Sequence, residues 1–294
     1  MSDFLEQVVA ERRAYAERAK ATHSAGDQKD NLWARAARGA HVPSRWMFRG
    51  VDPDAFTSTL RHGIGGGIGV IAEVKRVSPA LGTLAADLDP ARQARRYVAA
   101  GACAISVLTE PNHWGGSLRD LERVRDAVEV PILCKDVIVS ELQIEEARAV
   151  GADAVLLIAE ALTDAELRRF VERARELNMG ALVEAHEPVA FGRAVNAGSR
   201  VVGVNARDLR HPKVIDVGRV RQLHSFARPD QVLVAESGIA SADDVRLLPA
   251  RVNAVLVGTA LMTVDDPGPI IRALRSARGS SSQRSSYIVE EKAR

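Results

Sequence analysis

Eight short apolar runs recur between residues 68 and 257, and the segments between them have the length and capping signals of helices. The runs fall at 68–74, 103–108, 131–134, 153–158, 180–183, 200–204, 232–235 and 253–257. They are continuously apolar rather than alternating, so both faces of each strand must be covered, as in a parallel sheet with helical crossovers. Helix candidates span 90–99, 117–128, 140–149, 163–177, 187–197, 216–226 and 241–248, with a last at 267–277. Thr163-Asp164-Ala165-Glu166, Ser140-Glu141 and Ser241-Ala242-Asp243-Asp244 are helix starts. Gly101, Gly151, Gly180 and Gly198 fall where helices should stop. Eight such units in about 210 residues define an α/β fold closed as a (β/α)8 barrel, the TIM-barrel architecture. A doubly wound open sheet is the alternative.

Outside the repeat, residues 4–20 read as an amphipathic helix and Phe56 to Leu60 as a short one. Residues 21–47 are polar and irregular, with Trp33 and Trp46 as candidate anchors. The expected organisation is an N-terminal helical extension (1–60) packed on the barrel (61–278), then a disordered polar tail (279–294). Glycines at 63, 65, 66, 67 and 69 precede their strand, whereas a dinucleotide-binding loop follows one and opens a helix.

A net charge of +2, with basic and acidic residues interspersed, gives no footprint for nucleic acid. No apolar run reaches the length of a membrane span, and Met1-Ser2-Asp3 opens no signal peptide. Cys103 and Cys134 sit in apolar runs without metal-ligand spacing, so buried free thiols in a reducing compartment are expected. The expected location is cytoplasmic, as a monomer or weak homo-oligomer.

Polar residues collect where such a barrel builds its active site, at the C-terminal strand ends. The first run ends Ile71-Ala72-Glu73-Val74-Lys75-Arg76-Val77-Ser78-Pro79. Glu73 and Lys75 share a face of the strand. Two charges there are costly unless they pair or face a polar opening. The second run leads to Thr109-Glu110-Pro111-Asn112-His113-Trp114, and the third ends Cys134-Lys135-Asp136-Val137. The fifth ends in Glu184-Ala185-His186, the sixth in Asn205-Ala206-Arg207-Asp208. The seventh ends in Glu236-Ser237-Gly238 and the eighth in Gly258-Thr259. Small residues after the last two strands leave backbone N–H groups free to cradle phosphate. The remaining cations suit a second anion or a departing oxygen, with Glu73 and Glu184 to move protons. Proton transfer without metal or cofactor is the expected chemistry, and His186 is read as a packing histidine.

These stretches resemble indole-3-glycerol phosphate synthase. The matching segments are Ile71–Gly82, Ser106–Leu118, Pro131–Val137, Gly151–Ile158, Leu182–His186, Gly203–Leu209, Ala235–Ile239 and Val257–Met262. The resemblance implies conversion of 1-(2-carboxyphenylamino)-1-deoxyribulose 5-phosphate to indole-3-glycerol phosphate with loss of CO2 and water. The implied small-molecule substrate carries both a phosphate and a carboxylate. By resemblance Lys135 is the general acid for ring closure, while Glu184 and Glu73 serve proton removal and dehydration. The resemblance likewise assigns Lys75 to holding substrate charge and to dehydration, and Asn205 and Arg207, with Ser237 beside them, to positioning the anthranilate part. It assigns Ser237, Gly238, Gly258 and Thr259 to the phosphate cradle and places Ser78 near the substrate.

The apolar wall departs from the family. Val137 stands where a phenylalanine usually packs on the anthranilate ring, and Trp114 where another pocket phenylalanine is usual. Val77 and Leu81 replace the usual small residue and lysine around Ser78-Pro79. Alternatives are therefore a paralogue acting on a modified anthranilate derivative in specialised metabolism, or a non-catalytic barrel that binds a phosphorylated ligand. The second predicts loss of Lys135, Glu184 or Glu73, and all three are present.

Overall fold

The computed structural model describes residues 3–24 and 54–278. Its strands are β1 (Gly69–Val74), β2 (Val77–Ser78), β3 (Gly82–Thr83), β4 (Ala104–Leu108) and β5 (Ile132–Lys135). They continue as β6 (Ala154–Ile158), β7 (Gly180–Ala185), β8 (Val201–Asn205), β9 (Val232–Glu236) and β10 (Ala254–Val257). All eight long strands pair in parallel and in chain order, and β1 closes on β10 through Gly69 opposite Ala254. The open-sheet alternative is thereby excluded. Barrel closure leaves no edge strand, and the strand side chains Val70, Ile71, Ile105, Ile132, Leu133 and Val234 are fully buried.

The helices follow the capping signals. Thr163 and Ser241 each complete a reciprocal capping box, with Glu166 and Asp244 respectively. Ser117, Ser140 and Asp89 accept N–H bonds at the starts of Leu118–Arg125, Glu141–Ala149 and Pro90–Ala99. The sixth crossover is shorter than periodicity suggests. Its helix covers only Arg219–Leu223, continued by a 3-10 turn at His224–Phe226. The preceding residues are drawn into a loop held by an Arg207–Ile215 bridge and an Asp216 N–H bond to the Ala206 carbonyl. The β2–β3 hairpin, in the loop after β1, and the four-residue helix Thr259–Met262 are among the elements with no periodic signal.

Two helices precede the barrel. Phe4–Ser24 is four residues longer than the expected helix ending at 20. Ala55–His62 closes the N-terminal end of the barrel: Phe56 packs against the side-chain-free face of Gly180, and the Leu60 carbonyl lies over Gly69. Both glycines begin their strands, so the plug sits at the floor, opposite the strand ends that carry the polar residues. Trp33, Trp46 and the tail from 279 lie outside the described residues. Cys103 and Cys134 are free and buried, with burial pushing their thiols up to about 11 and about 12. Phe56→Ala should cost about 3–5 kcal/mol through the lost floor contact. Urea unfolding would read this as a lower midpoint, and a loss under about 1 kcal/mol would show that the floor is not held this way.

Candidate active site

The strand periodicity that buries β1 also puts Glu73 and Lys75 on one side, and the two meet at 2.8 Å. The ion pair is therefore made, but at the open mouth, where both side chains line a cavity of about 590 Å³. Gly258, just past the neighbouring β10, is what lets the pair fit. A Cβ there would lie 2.2 Å from Glu73 Oε1 and 2.9 Å from Lys75 Nζ.

Across the cavity, Lys135 ends β5 and reaches into the barrel. Its Nζ lies 3.1 Å from Glu184 Oε2 and 2.9 Å from Glu236 Oε2. These carboxylates come from β7 and β9, and β8 between them carries Gly203, opposite Glu184. A Cβ on Gly203 would lie 2.3 Å from Glu236 Oε1, so this glycine makes room for a carboxyl group inside the barrel. At the end of β8 Asn205 works in both directions. Its Nδ2 donates to Glu184 Oε1 (3.3 Å), while its Oδ1 accepts from Ser237 Oγ (2.9 Å) and from the Arg207 N–H (3.0 Å).

The protonation states follow from this crowding. Burial alone would raise Glu73, but Lys75, Lys135 and Arg207 outweigh it and hold the carboxyl below its usual range. Burial opposes the charge on Lys135, yet Glu184, Glu236 and Glu73 together keep its ammonium well above the ordinary lysine value. Glu236 moves the other way: burial and the neighbouring Glu184 push it well above the carboxylate range, against the pull of Lys135. Its Oε1 is buried and accepts no hydrogen bond. The Lys135 ammonium thus stands between two carboxyl groups, of which Glu236 is the one pushed toward its protonated form.

The end of β5 is anchored from outside. Arg12, buried on the N-terminal helix, pairs with Asp136 at 3.0 Å, and Thr109 Oγ1 donates to the same carboxylate at 2.8 Å. The Thr109 N–H bonds the Lys135 carbonyl at 3.0 Å. Phe4, on the same helix, meets Trp114 edge-on at 5.7 Å and so backs one wall of the cavity. Burial raises the Asp136 carboxyl, opposed by Arg12 and Thr109.

Every site residue named from the sequence lines this cavity except Ser78. Trp114 and Val137 form apolar wall beside Leu108, Leu156 and Ile158, and Arg207 lies half-buried with its guanidinium bonded to the Pro212 carbonyl. Ser237 and Gly238 both adopt left-handed backbone (φ 68° and 73°), a tight turn facing Gly258 and Thr259 across the same rim. Thr259 begins the short helix Thr259–Met262, whose first turn leaves N–H groups without intrahelical acceptors. Ser78 instead pairs with Gly82 in the hairpin and is buried there, leaving Ala80 and Leu81 of that loop on the cavity. His186 donates through Nδ1 to the Asn205 carbonyl at 2.8 Å, which orients the backbone at the end of β8. Glu236 carries no assigned role in the sequence reading. The available signal was the one that marked Glu73, a carboxylate closing an apolar strand.

A closed (β/α)8 barrel whose mouth gathers ammonium and carboxyl groups above a glycine-rich rim has the layout of a phosphate-binding acid–base enzyme. The family description "Indole-3-glycerol phosphate synthase" matches residues 8–274. A protein of that name from a Nocardioides species is 50% identical over 226 residues, covering 76% of this chain and 86% of the relative. One from an Arthrobacter species is 48% identical over 236 residues, 79% of this chain and 82% of the relative. The chain belongs to the indole-3-glycerol phosphate synthase family. Among solved structures it resembles 3-hexulose-6-phosphate synthase from Salmonella typhimurium, with TM-score 0.58 and 14% identity over 71% of this chain and 98% of that one. At that identity the likeness concerns the fold.

Because Glu236 is raised in the folded chain, its contribution to stability is full below the unfolded value of about 4.3 and is lost as pH rises toward the folded value. Glu236→Gln mimics the protonated carboxyl and does not titrate. Thermal melts should show the variant gaining on the parent as pH climbs above about 4.3. A variant that loses ground over that window would contradict the assigned protonation.

Proposed function

We propose that the chain closes the indole ring of 1-(2-carboxyphenylamino)-1-deoxyribulose 5-phosphate, with the mouth groups acting as its acids and bases. The observation that carries the role assignment is the Lys135 ammonium held between Glu184 and Glu236 at the centre of the cavity. Ring closure joins the carboxylate-bearing ring carbon to the ketone carbon, and the ketone oxygen becomes a hydroxyl by taking the Lys135 proton. The ring–carboxylate bond then breaks, releasing CO2 and returning its electron pair to the ring. The hydroxyl leaves as water with a proton from an ammonium, for which Lys75 is assigned. Glu184, with Glu73, takes the proton lost from the neighbouring carbon.

Binding groups surround this axis. Ser237, Gly238, Gly258 and Thr259 are assigned to the phosphate, and Asn205 with Arg207 to the anthranilate part. Asn205 also orients Glu184 through its 3.3 Å bond. The serine at 78 is assigned an indirect part, through the loop that carries Ala80 and Leu81 over the cavity. Among the described residues no helix is long and apolar enough to cross a membrane. A cytoplasmic enzyme acting as monomer or weak homo-oligomer accords with the family's biosynthetic chemistry.

Val137 supports one refinement. It is buried in the cavity wall where the family's usual phenylalanine would contribute about 1–2 kcal/mol more apolar contact. The freed volume suits an anthranilate ring bearing a substituent.

The test is turnover: purified protein mixed with the carboxyphenylamino-deoxyribulose phosphate should generate indole fluorescence. Lys135→Met should lower kcat by about 10²–10⁴-fold while the circular dichroism spectrum is retained. Unchanged kcat would remove Lys135 from the acid role. Val137→Phe should lower KM for the unsubstituted substrate and raise it for ring-substituted analogues. Equal shifts for both would show that this wall does not select among rings.

A further inference from the structure

Lys213 is a cation at the mouth with no side-chain partner among the described residues. It lies in the loop after β8 and lines the same cavity as Lys75, Lys135 and Arg207. Those three are committed: Lys75 to Glu73, Lys135 to Glu184 and Glu236, and Arg207 to the Pro212 carbonyl. Lys213 makes no ion pair or side-chain hydrogen bond with any described residue and is exposed.

Its backbone, by contrast, is fixed. Pro212, immediately before it, accepts from the Arg207 guanidinium. Val214, immediately after it, donates to the His211 carbonyl at 2.8 Å and accepts from the Asp208 N–H at 3.2 Å. Two residues on, Ile215 bridges back to Arg207, and its side chain covers Gly238 so closely that a Cβ there would lie 3.2 Å from its Cγ2. The loop therefore lies against the Ser237–Gly238 turn, with an exposed ammonium on a tethered backbone beside it. The opposite loop provides nothing equivalent. Leu81 lines the cavity where the family's usual lysine would stand, and Arg76 is engaged with Asp120 and the Leu88 carbonyl.

We propose that Lys213 receives the substrate's phosphate at the mouth, supplying from the loop after β8 the charge that the Leu81 position lacks. This rests on the phosphate assignment of the preceding reading and specifies which side chain completes it. A flexible ammonium is suited to this task, because it can follow the phosphate into the cradle without displacing a protein carboxylate. The charge is exposed, so it also contributes a salt-sensitive attraction for an anionic substrate.

The experiment is calorimetric titration of inorganic phosphate into the folded protein, so that it reports even if turnover is absent. Lys213→Ala should raise the phosphate Kd about three- to tenfold. Lys213→Glu should raise it further, and Lys213→Arg should stay near the parent. Adding Leu81→Lys to Lys213→Ala should recover part of the loss. With the full substrate, the same order should appear mainly in KM, and the fall of kcat/KM with added salt should be shallower in Lys213→Ala. Phosphate affinity within twofold of the parent in both Lys213→Ala and Lys213→Glu would overturn the proposal. So would weakened binding of benzoate-type carboxylates with phosphate binding unchanged, because Lys213 would then serve the other anion. Absent turnover in the parent, with phosphate affinity still depending on Lys213, would count against the reaction and for this site.

Discussion

The constraint on which the site depends is electrostatic. Lys135 is an ammonium drawn to the inside of a barrel, and that location is tolerable only because Glu184 and Glu236 meet it there at 3.1 and 2.9 Å. Two carboxylates so close cannot both be fully ionised in a buried setting, and Glu236 is the one pushed toward its protonated form. The result is an ammonium on the axis of the barrel flanked by two carboxyl groups, one of them raised above its ordinary range. Removing Lys135 would take away the ammonium that Glu184 and Glu236 share, so chemistry and part of the barrel's interior electrostatics rest on the same side chain.

The surrounding structure maintains that arrangement. Gly203 gives Glu236 its space, and Gly258 gives Glu73 and Lys75 theirs. Asn205 relays between Glu184 and Ser237, joining the acid–base axis to the turn assigned to phosphate. Arg12 reaches from the N-terminal helix to Asp136, the residue after Lys135, so an element outside the barrel helps to fix the end of β5. The same helix backs Trp114 through Phe4. The N-terminal helix thus backs the cavity wall as well as packing on the barrel.

Much of this is legible in the sequence alone, for physical reasons. Strands buried on both faces must be apolar throughout, so a Glu or Lys closing one of them marks the mouth; Glu73, Lys135 and Glu184 were found in this way. Glu236 carries the same mark, masked by the glycine turn that directly follows it. The 3-10 turn at His224–Phe226 and the shortened sixth helix were hidden because their loop is organised by the Arg207–Ile215 bridge, a pairing with no local pattern. Ser78 was assigned by resemblance, whereas its position is set by the hairpin with Gly82. The Arg12–Asp136 pair spans 124 residues of sequence, and no periodicity announces such a contact.

The most direct test of the account is the charge on Lys135 itself. Selective ¹⁵N labelling of lysine, with the Lys135 resonance assigned by its loss in Lys135→Met, would allow its Nζ to be titrated by NMR. The account predicts an ammonium signal that persists past the ordinary lysine value of about 10.4. A Lys135 that loses its proton near neutral pH would contradict it, since the carboxylates around it would then be holding no charge in place.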